Sequence, residues 1–570
     1  MRILFLTHSF NSLAQRLFIE LRAEGHDVSV EFDINDATSI DAVDRFDPDL
    51  VIAPFLKRAI PAAIWRRRTC FIVHPGIVGD RGPSALDWAI INDESHWGVT
   101  VLQANGDMDA GDIWASETFP MRAASKASLY RNEITEAAVR AVRRAVGRFA
   151  SGRFTPRPLD VRDPAVLGRE RPLLRAADRR INWALDDTAT VLRKIRSADS
   201  FPGALDEHVG RRLYVYDAWD APTLDGEPGD WVACSGPAVG IATRDGGVWI
   251  GSLRDPRSEH PFKRRALDVL GVQGRPALDI PVDDPAGYPL IRYEEQDDVG
   301  YLHFNFYNGA MSTDDCRALL QAYRRALSKE TRVIVLCGGP EFWSNGMDLN
   351  SIESADSPAD ASWENINAID DLAEAIISTR SHLTVAALHG NAGAGGVFLA
   401  RAADLVWSHD GVVLNPHYKD MGNLYGSEYW TYLLPRACGE SNAERITQAR
   451  LPVGGAEAVE LGLVDALLAT DRNSFADVVR QRARALARSG DFDRGLERKL
   501  GQRDADEQQK PLAEYRDEEL ERMRMNFYGF DPSYHVARYN FVYKVPRSRT
   551  PMTIAAHRRD DGHRSIRNAS

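Results

Sequence analysis

The sequence has 570 residues, 44% hydrophobic and 27% charged, the balance of an ordinary globular chain. At about 100–200 residues per domain it should form three or four folding units, each able to bury a core. A net charge of -12 argues against a nucleic-acid partner while leaving room for anionic small molecules at local basic patches. The five cysteines, Cys70, Cys234, Cys316, Cys337 and Cys438, form no Cys-x-x-Cys pair, which excludes the usual zinc and disulfide frameworks and points to a reducing cytoplasm.

The opening MRILFLTHSF reads as a first strand rather than a leader, since it lacks a basic n-region and a cleavage site. No apolar run reaches about 18 residues, so no membrane span is expected. Arg2–Thr7 is a strand, Asn11–Gly25 a helix ending on glycine, and Asp27–Phe32 a strand with Val28, Val30 and Phe32 on one face. Asp49–Ala53 is a further buried strand. Strands alternating with helices predict a mostly parallel α/β sheet. No Gly-x-Gly-x-x-Gly follows the first strand, so neither a nicotinamide nor a flavin is expected, and the Cys/His spacing suggests no metal. Residues 151–172, rich in Arg, Pro and Asp, read as a linker. Ile181–Ile195 has helical periodicity, and Leu213–Leu253 breaks into short strands that suggest a small β-barrel. Alternation resumes over Ile291–Thr470, with apolar strands at Val333–Gly338 and Leu383–Leu388. Leu512–Asn526 is a charged helix, followed by the aromatic FYGFDPSYHVARYNFVYK and a basic, polar tail expected to be mobile.

Two stretches carry chemistry. The first, Cys70–Ser116, places His74 after an apolar strand, then a tight Gly/Pro/Arg loop, then the turn at Asp109. A histidine at a strand end can serve as general acid or base, with an aspartate to orient it; the same residues also suit a buried structural histidine and a turn former. The stretch resembles the formyltransferases that use 10-formyltetrahydrofolate, whose Asn-x-His, Arg-Gly, Trp-Ala-Ile and Asp-x-Gly motifs fall here on His74, Arg81–Gly82, Trp88–Ile90 and Asp109–Gly111. The resemblance implies that His74 manages protons, that Asp109 holds and polarises it, and that Arg81, Gly82 and Trp88 shape the folate site. The motif's Asn is replaced by Ile72. In that family it donates to the developing oxyanion, and losing one such donor typically costs ~10²–10³ in rate. ADRRINWALDDTATVLRKIRSADSFPGAL resembles the start of the carboxyl-terminal domain of methionyl-tRNA formyltransferases.

The second comprises EFWSNGMDLNSI at 341–352 and HGNAGAGGVFLARAADLVWS at 389–408. Glycine loops entering helices offer free N–H groups to an anion, although a bare glycine run more often means close packing. The pair resembles the crotonase, or enoyl-CoA hydratase/isomerase, superfamily: Phe342 to Leu349 matches its first loop, with Gly346 and Asp348, and Gly390 to Gly396 its second. The resemblance implies an oxyanion hole formed by the N–H groups of Met347 and Gly395 around a coenzyme A thioester. The two hydratase glutamate positions are Phe398 and His417, so hydration is not expected. Glu428 stands where some members carry an acidic group, with Tyr418 and Tyr429 as further candidates for proton transfer.

The fold class implied is α/β multidomain: a formyltransferase-type domain (1–165), an OB-like β-barrel (173–275), a crotonase-fold domain (287–490) and a helical carboxyl-terminal extension (491–570). This fusion resembles a family of hydrogenase-maturation proteins, also in LNPHYKDMG and GSEYWTYLLP. The resemblance implies formyl transfer from 10-formyltetrahydrofolate to coenzyme A, then cleavage of formyl-CoA to carbon monoxide and CoA, the carbon monoxide becoming a ligand of a nickel–iron hydrogenase. Implied partners are the two small molecules and either other maturation proteins or the hydrogenase large-subunit precursor. Two rival readings are an amine-acceptor formyltransferase with a non-catalytic crotonase scaffold, and a non-catalytic carrier of one-carbon units.

Overall fold

The computed structural model describes residues 1–208, 210–271, 274–282 and 284–559. Its contacts gather into two units. One comprises Met1–Asp220, Thr243–Asp245 and the residues from Pro546 onward; the other comprises Ala221–Ala242 and Gly246–Val545.

In the first unit, β1 (Arg2–Thr7), β2 (Asp27–Phe32), β3 (Leu50–Ala53), β4 (Cys70–His74), β5 (His96–Gln103) and β6 (Ile113–Pro120) form one sheet in the order β2-β1-β3-β4-β5-β6. The first four strands are parallel and the last two add antiparallel. The crossover helices Ser12–Ala23 and Asp36–Phe46 start at Asn11 and Asn35, whose side chains accept the N–H of Ala14 and Thr38 and so satisfy one orphan donor each. β7 (Ala204–His208) and β8 (Arg211–Asp220) form an antiparallel hairpin.

Four sequence expectations change here. β2 is buried on both faces, not one, because Ser29 and Glu31 are covered by the segment Thr550–Arg558. For the same reason the basic tail is docked as far as Arg559, with the Val30 N–H donating to the Ile554 carbonyl and the Phe32 N–H to Thr550 Oγ1; residues 560–570 lie outside the described residues. The expected linker is pinned over its last part: the Gly168 N–H donates to the Val78 carbonyl, the Arg81 N–H to that of Arg169, and the Arg171 N–H to that of Arg81. The helix expected from Ile181 spans Thr188–Ala198, since Asp186 instead accepts the Asn182 N–H in a local turn and Asp187 supplies the cap.

In the second unit, β9 (Trp231–Ser235), β10 (Ala238–Thr243), β11 (Gly246–Arg254), β12 (Arg264–Arg265) and β13 (Leu278–Asp279) make the short-stranded part. β9 and β10 are antiparallel, β12 pairs with β11 and β13 with β9. The remaining strands are β14 (Ile291–Gln296), β15 (Val299–Phe304), β16 (Val333–Gly338), β17 (Phe342–Ser344), β18 (Leu383–Leu388), β19 (Asn391–Gly393), β20 (Leu405–His409), β21 (Leu414–Asn415) and β22 (Ala466–Ala469). They form two sheets, β14-β15-β16-β18-β20-β22 and β17-β19-β21. Val333, Val335, Val385, Trp407 and Phe475 lie in the core beside the larger sheet. The smaller sheet positions the site: β17 and β19 run parallel, bringing the two glycine loops to the same end. Among the described residues no helix is long and apolar enough to cross a membrane.

Candidate active sites

His74 ends β4 and is 4% exposed. Its Nε2 lies 3.0 Å from Asp80 Oδ2, and its Nδ1 lies 3.6 Å from Asp109 Oδ2. The loop after it folds back because Thr100 Oγ1 donates to the Gly76 carbonyl (2.8 Å) and Trp97 Nε1 to that of Pro75 (2.9 Å). Only glycine fits at Gly76, where a Cβ would come within 2.4 Å of His74 Nε2. Asp109 has φ +50°, a region aspartate tolerates better than most residues, and its Oδ2 accepts the Gly82 N–H at 3.4 Å. Ile72 and His74 are two apart on β4 and share a face; Ile72 packs against the apolar cluster of Leu4, Val51 and Cys70. Arg81 pairs with Glu170 at 2.9 Å, and Trp88 Nε1 donates to the Pro172 carbonyl at 2.8 Å. These two residues therefore hold the strap at residues 168–172. Sequence reasoning missed Asp80. Its signal was an acid six residues after the histidine inside a glycine-rich loop, where a tight return brings it back to the strand end. Among the described residues no group of three or more His, Cys, Asp or Glu could hold a metal ion.

In the second unit, Met311 bridges to Met347: its N–H donates to the Gly346 carbonyl and its carbonyl accepts the Asp348 N–H. In such a parallel bridge the Met347 N–H points away from Met311. Gly395 opens the helix Gly395–Arg401, where no i−4 carbonyl awaits its N–H. A Cβ on Gly346 (φ +75°) would sit 3.4 Å from the Gly395 nitrogen, so the two loops meet. Asp348 caps the helix Leu349–Glu353, accepting from the Asn350 N–H (3.0 Å) and the Ser351 hydroxyl (2.5 Å). Gly390 and Gly396 allow close packing, their Cβ atoms falling 2.6 Å from the Glu341 carbonyl oxygen and 2.1 Å from that of Ser344.

Glu428 is 1% exposed and stands at φ +58°. Its Oε2 accepts the Tyr418 hydroxyl at 2.5 Å and the Ser427 N–H at 3.2 Å. Its Oε1 would be 1.9 Å from a Cβ on Gly395, so this oxygen lies against the bare Cα of the second glycine loop. Phe398, in one hydratase glutamate position, stacks on Tyr418 with ring centroids 5.2 Å apart. His417, in the other, is buried, and burial lowers its pKa. Tyr429 is not brought to Glu428: its hydroxyl donates to Glu374 (3.2 Å) and its N–H to Glu519 (3.0 Å).

Two further acids, Asp370 and Glu519, surround the segment from Ser427 to Thr431. Asp370 accepts the Glu428 N–H at 2.8 Å, and Glu519 accepts the N–H and hydroxyl of Thr431. Ser427 Oγ lies 2.8 Å from Asp370 Oδ2 and 3.2 Å from Glu519 Oε2. A hydroxyl has one proton to donate, so satisfying both contacts requires a proton on one of the carboxyls. Burial pushes Asp370 up to about 7 and Glu519 to about 8; burial and the neighbouring Asp370 push Glu428 to about 8.

Two expected results follow at this site. Folding raises the proton affinity of these three carboxyls, so their stabilising contribution is complete below the ordinary carboxylate range and is lost as pH rises through about 7 to 8. Thermal unfolding should therefore show lower stability at pH 8 than at pH 6, and Glu519→Gln should flatten that slope; an unchanged slope would count against a buried shared proton. Gly395→Ala must displace the Glu428 carboxylate or the loop. Overpacking of this kind typically costs ~1–3 kcal/mol, measurable by denaturant unfolding against Gly490→Ala, where nothing lies within 4 Å.

Three family descriptions match the chain: Formyl transferase over residues 31–146, Formyl transferase, C-terminal domain over 173–260, and Enoyl-CoA hydratase/isomerase over 301–522. The chain is 55% identical over 560 residues to the hydrogenase maturation factor HoxX of Bradyrhizobium diazoefficiens, covering 98% of this chain and 97% of that one. It is 24% identical over 219 residues to a methionyl-tRNA formyltransferase of Citrifermentans bemidjiense, covering 38% of this chain and 67% of the other. Among solved structures it is similar to HypX from Aquifex aeolicus in complex with tetrahydrofolic acid, with TM-score 0.94 and 46% identity, covering 98% and 99% of the two chains. A formyltransferase module with its carboxyl-terminal domain, joined to a crotonase-fold module in one chain and matched end to end, places this protein in the HoxX/HypX family of hydrogenase maturation factors.

Proposed function

We propose that the chain makes carbon monoxide in two steps: formyl transfer from 10-formyltetrahydrofolate to the thiol of coenzyme A, then cleavage of formyl-CoA. In the first step His74 takes the thiol proton, the S–C bond forms, the bond from the formyl carbon to folate N10 breaks, and N10 receives the proton. In the second, the N–H groups of Met347 and Gly395 polarise the formyl oxygen, and Glu428 removes the formyl hydrogen as a proton. The C–H electron pair stays on carbon as the lone pair of carbon monoxide, an oxygen lone pair closes the third carbon–oxygen bond as the C–S pair leaves with sulfur, and the thiolate takes the proton from Glu428. The products are carbon monoxide and CoA, with no water consumed.

The observation that carries this reading is the asymmetry of Glu428. One oxygen is held by Tyr418 and the Ser427 N–H, while the other lies against Gly395. The hydratase glutamate positions hold Phe398 and His417, which favours a reaction with one proton acceptor over water addition. Tetrahydrofolate bound to the Aquifex aeolicus relative supports folate as the formyl donor. The supply of carbon monoxide to a hydrogenase, directly or through other maturation proteins in the cytoplasm, belongs to the same proposal. The test is to incubate the purified chain with carbon-labelled 10-formyltetrahydrofolate and CoA and to trap carbon monoxide on haem. Labelled haem-bound carbon monoxide that depends on CoA is expected; label found only as formate or on an amine would overturn the proposal.

A further inference from the structure

We propose that Asp80 is the positioning residue that orients His74, leaving His74 Nδ1, beside Asp109, as the atom that exchanges the proton. The inference rests on formyl transfer at this site and deepens that reading.

Three observations carry it. The first is which nitrogen is bonded. Nε2 lies 3.0 Å from Asp80 Oδ2, a hydrogen bond, whereas Nδ1 lies 3.6 Å from Asp109 Oδ2, beyond hydrogen-bond length. A carboxylate can only accept, so Nε2 carries the ring proton and the lone pair of neutral His74 resides on Nδ1.

The second is how firmly Asp80 is held. Its side chain is fully buried, while that of Asp109 is 15% exposed. The Asp80 N–H donates to the Ile77 carbonyl, and the strap passes so close that a Cβ on Gly168 would fall 2.0 Å from the Asp80 nitrogen. Asp109 sits in a left-handed turn with one 3.4 Å contact from the Gly82 N–H. A fully buried acid suits the orienting task, and a partly exposed one suits contact with substrate.

The third is charge. Arg171, 8% exposed, brings Nε to 3.5 Å from Asp80 Oδ1 and lays its guanidinium 5.3 Å from the Trp97 ring centroid. Its Nη2 pairs with Glu94 at 3.2 Å. A buried carboxylate between a cation and an imidazole stabilises the imidazolium that forms when Nδ1 takes a proton. This is the service an orienting acid gives a histidine base.

The test uses the full chain labelled with ¹⁵N-histidine, the His74 signal being identified by its loss in His74→Ala. The expected neutral form has its proton on Nε2. Asp80→Asn presents an amide that can donate to Nε2, so it should shift the tautomer toward Nδ1–H and lower kcat by about 10²–10⁴-fold with little change in KM for the folate. Asp80→Glu should recover part of the rate. Asp109→Asn should lower activity without moving the tautomer. A wild-type Nδ1–H tautomer would overturn the inference, as would an Asp80→Asn chain turning over within about threefold of wild type. The tautomer is read with no acceptor present. A chain that shows it but makes no formyl-CoA therefore counts against the proposed transfer and not against the role of Asp80.

Discussion

His74→Ala should lower loss of the formyl group from 10-formyltetrahydrofolate by about 10²–10⁴-fold, the usual contribution of a positioned general base. The ring lies between Asp80 and Asp109, which contact it at 3.0 Å and 3.6 Å. Removing it leaves the buried Asp80 carboxylate with Arg171 as its remaining charge partner, at a stability cost of ~1–3 kcal/mol. Circular dichroism and thermal unfolding should therefore show a folded but less stable chain. Near-normal turnover by a folded His74→Ala chain would mean that the proton leaves by another route.

Glu428→Gln should abolish carbon monoxide release while formyl transfer to CoA continues, so that formyl-CoA accumulates. Glutamine keeps the shape and removes the base. The wild-type rate should also depend on pH in a stated direction. Burial and Asp370 raise the Glu428 pKa to about 8, and the working form is the carboxylate, so carbon monoxide release should climb as pH rises toward 8 and level off above it. A rate that falls over that interval would indicate that Glu428 acts first as an acid. A Glu428→Gln chain with unchanged output would move the base to Tyr418, whose hydroxyl lies 2.5 Å from Glu428.

Much of the scaffold was legible because its signals are local. The apolar runs at Arg2–Thr7, Val333–Gly338 and Leu383–Leu388 became strands with those same bounds, and the helix expected over Asn11–Gly25 formed over Ser12–Ala23. The candidate residues His74, Asp109, Met347, Gly395 and Glu428 were singled out through resemblance to family motifs, since a histidine at a strand end or a glycine-rich loop suits a structural role equally well. What escaped was set by contacts distant in sequence. Asp370 lies on the same face of its helix as the buried Ile366, Ala373 and Ile377, and Glu519 on the same face as Leu512 and Met523. An acid on an apolar stripe was the available signal, but its partner, the turn at Ser427–Thr431, could be supplied only by the fold. Arg171 was hidden by its composition, because an Arg/Pro/Asp stretch reads as a linker until its backbone is seen paired with the His74 loop.

The strip Thr550–Arg558 bears on the order in which the first unit can be completed during synthesis. Glu31 lies buried under Thr550, His557 and Arg558, and Phe32 donates to a side chain 518 positions further along. At ~5–20 residues per second, translation leaves this face of β2 uncovered for roughly 25–100 s after β2 itself has been made. Through that interval Glu31 has water for its hydration, whereas its final partners exist only once almost the whole chain has emerged. The formyltransferase sheet therefore reaches its finished, fully buried state after the second unit has been translated, and a ribosome-stalled chain lacking the strip should expose the outer face of β2 to proteases that spare the released protein.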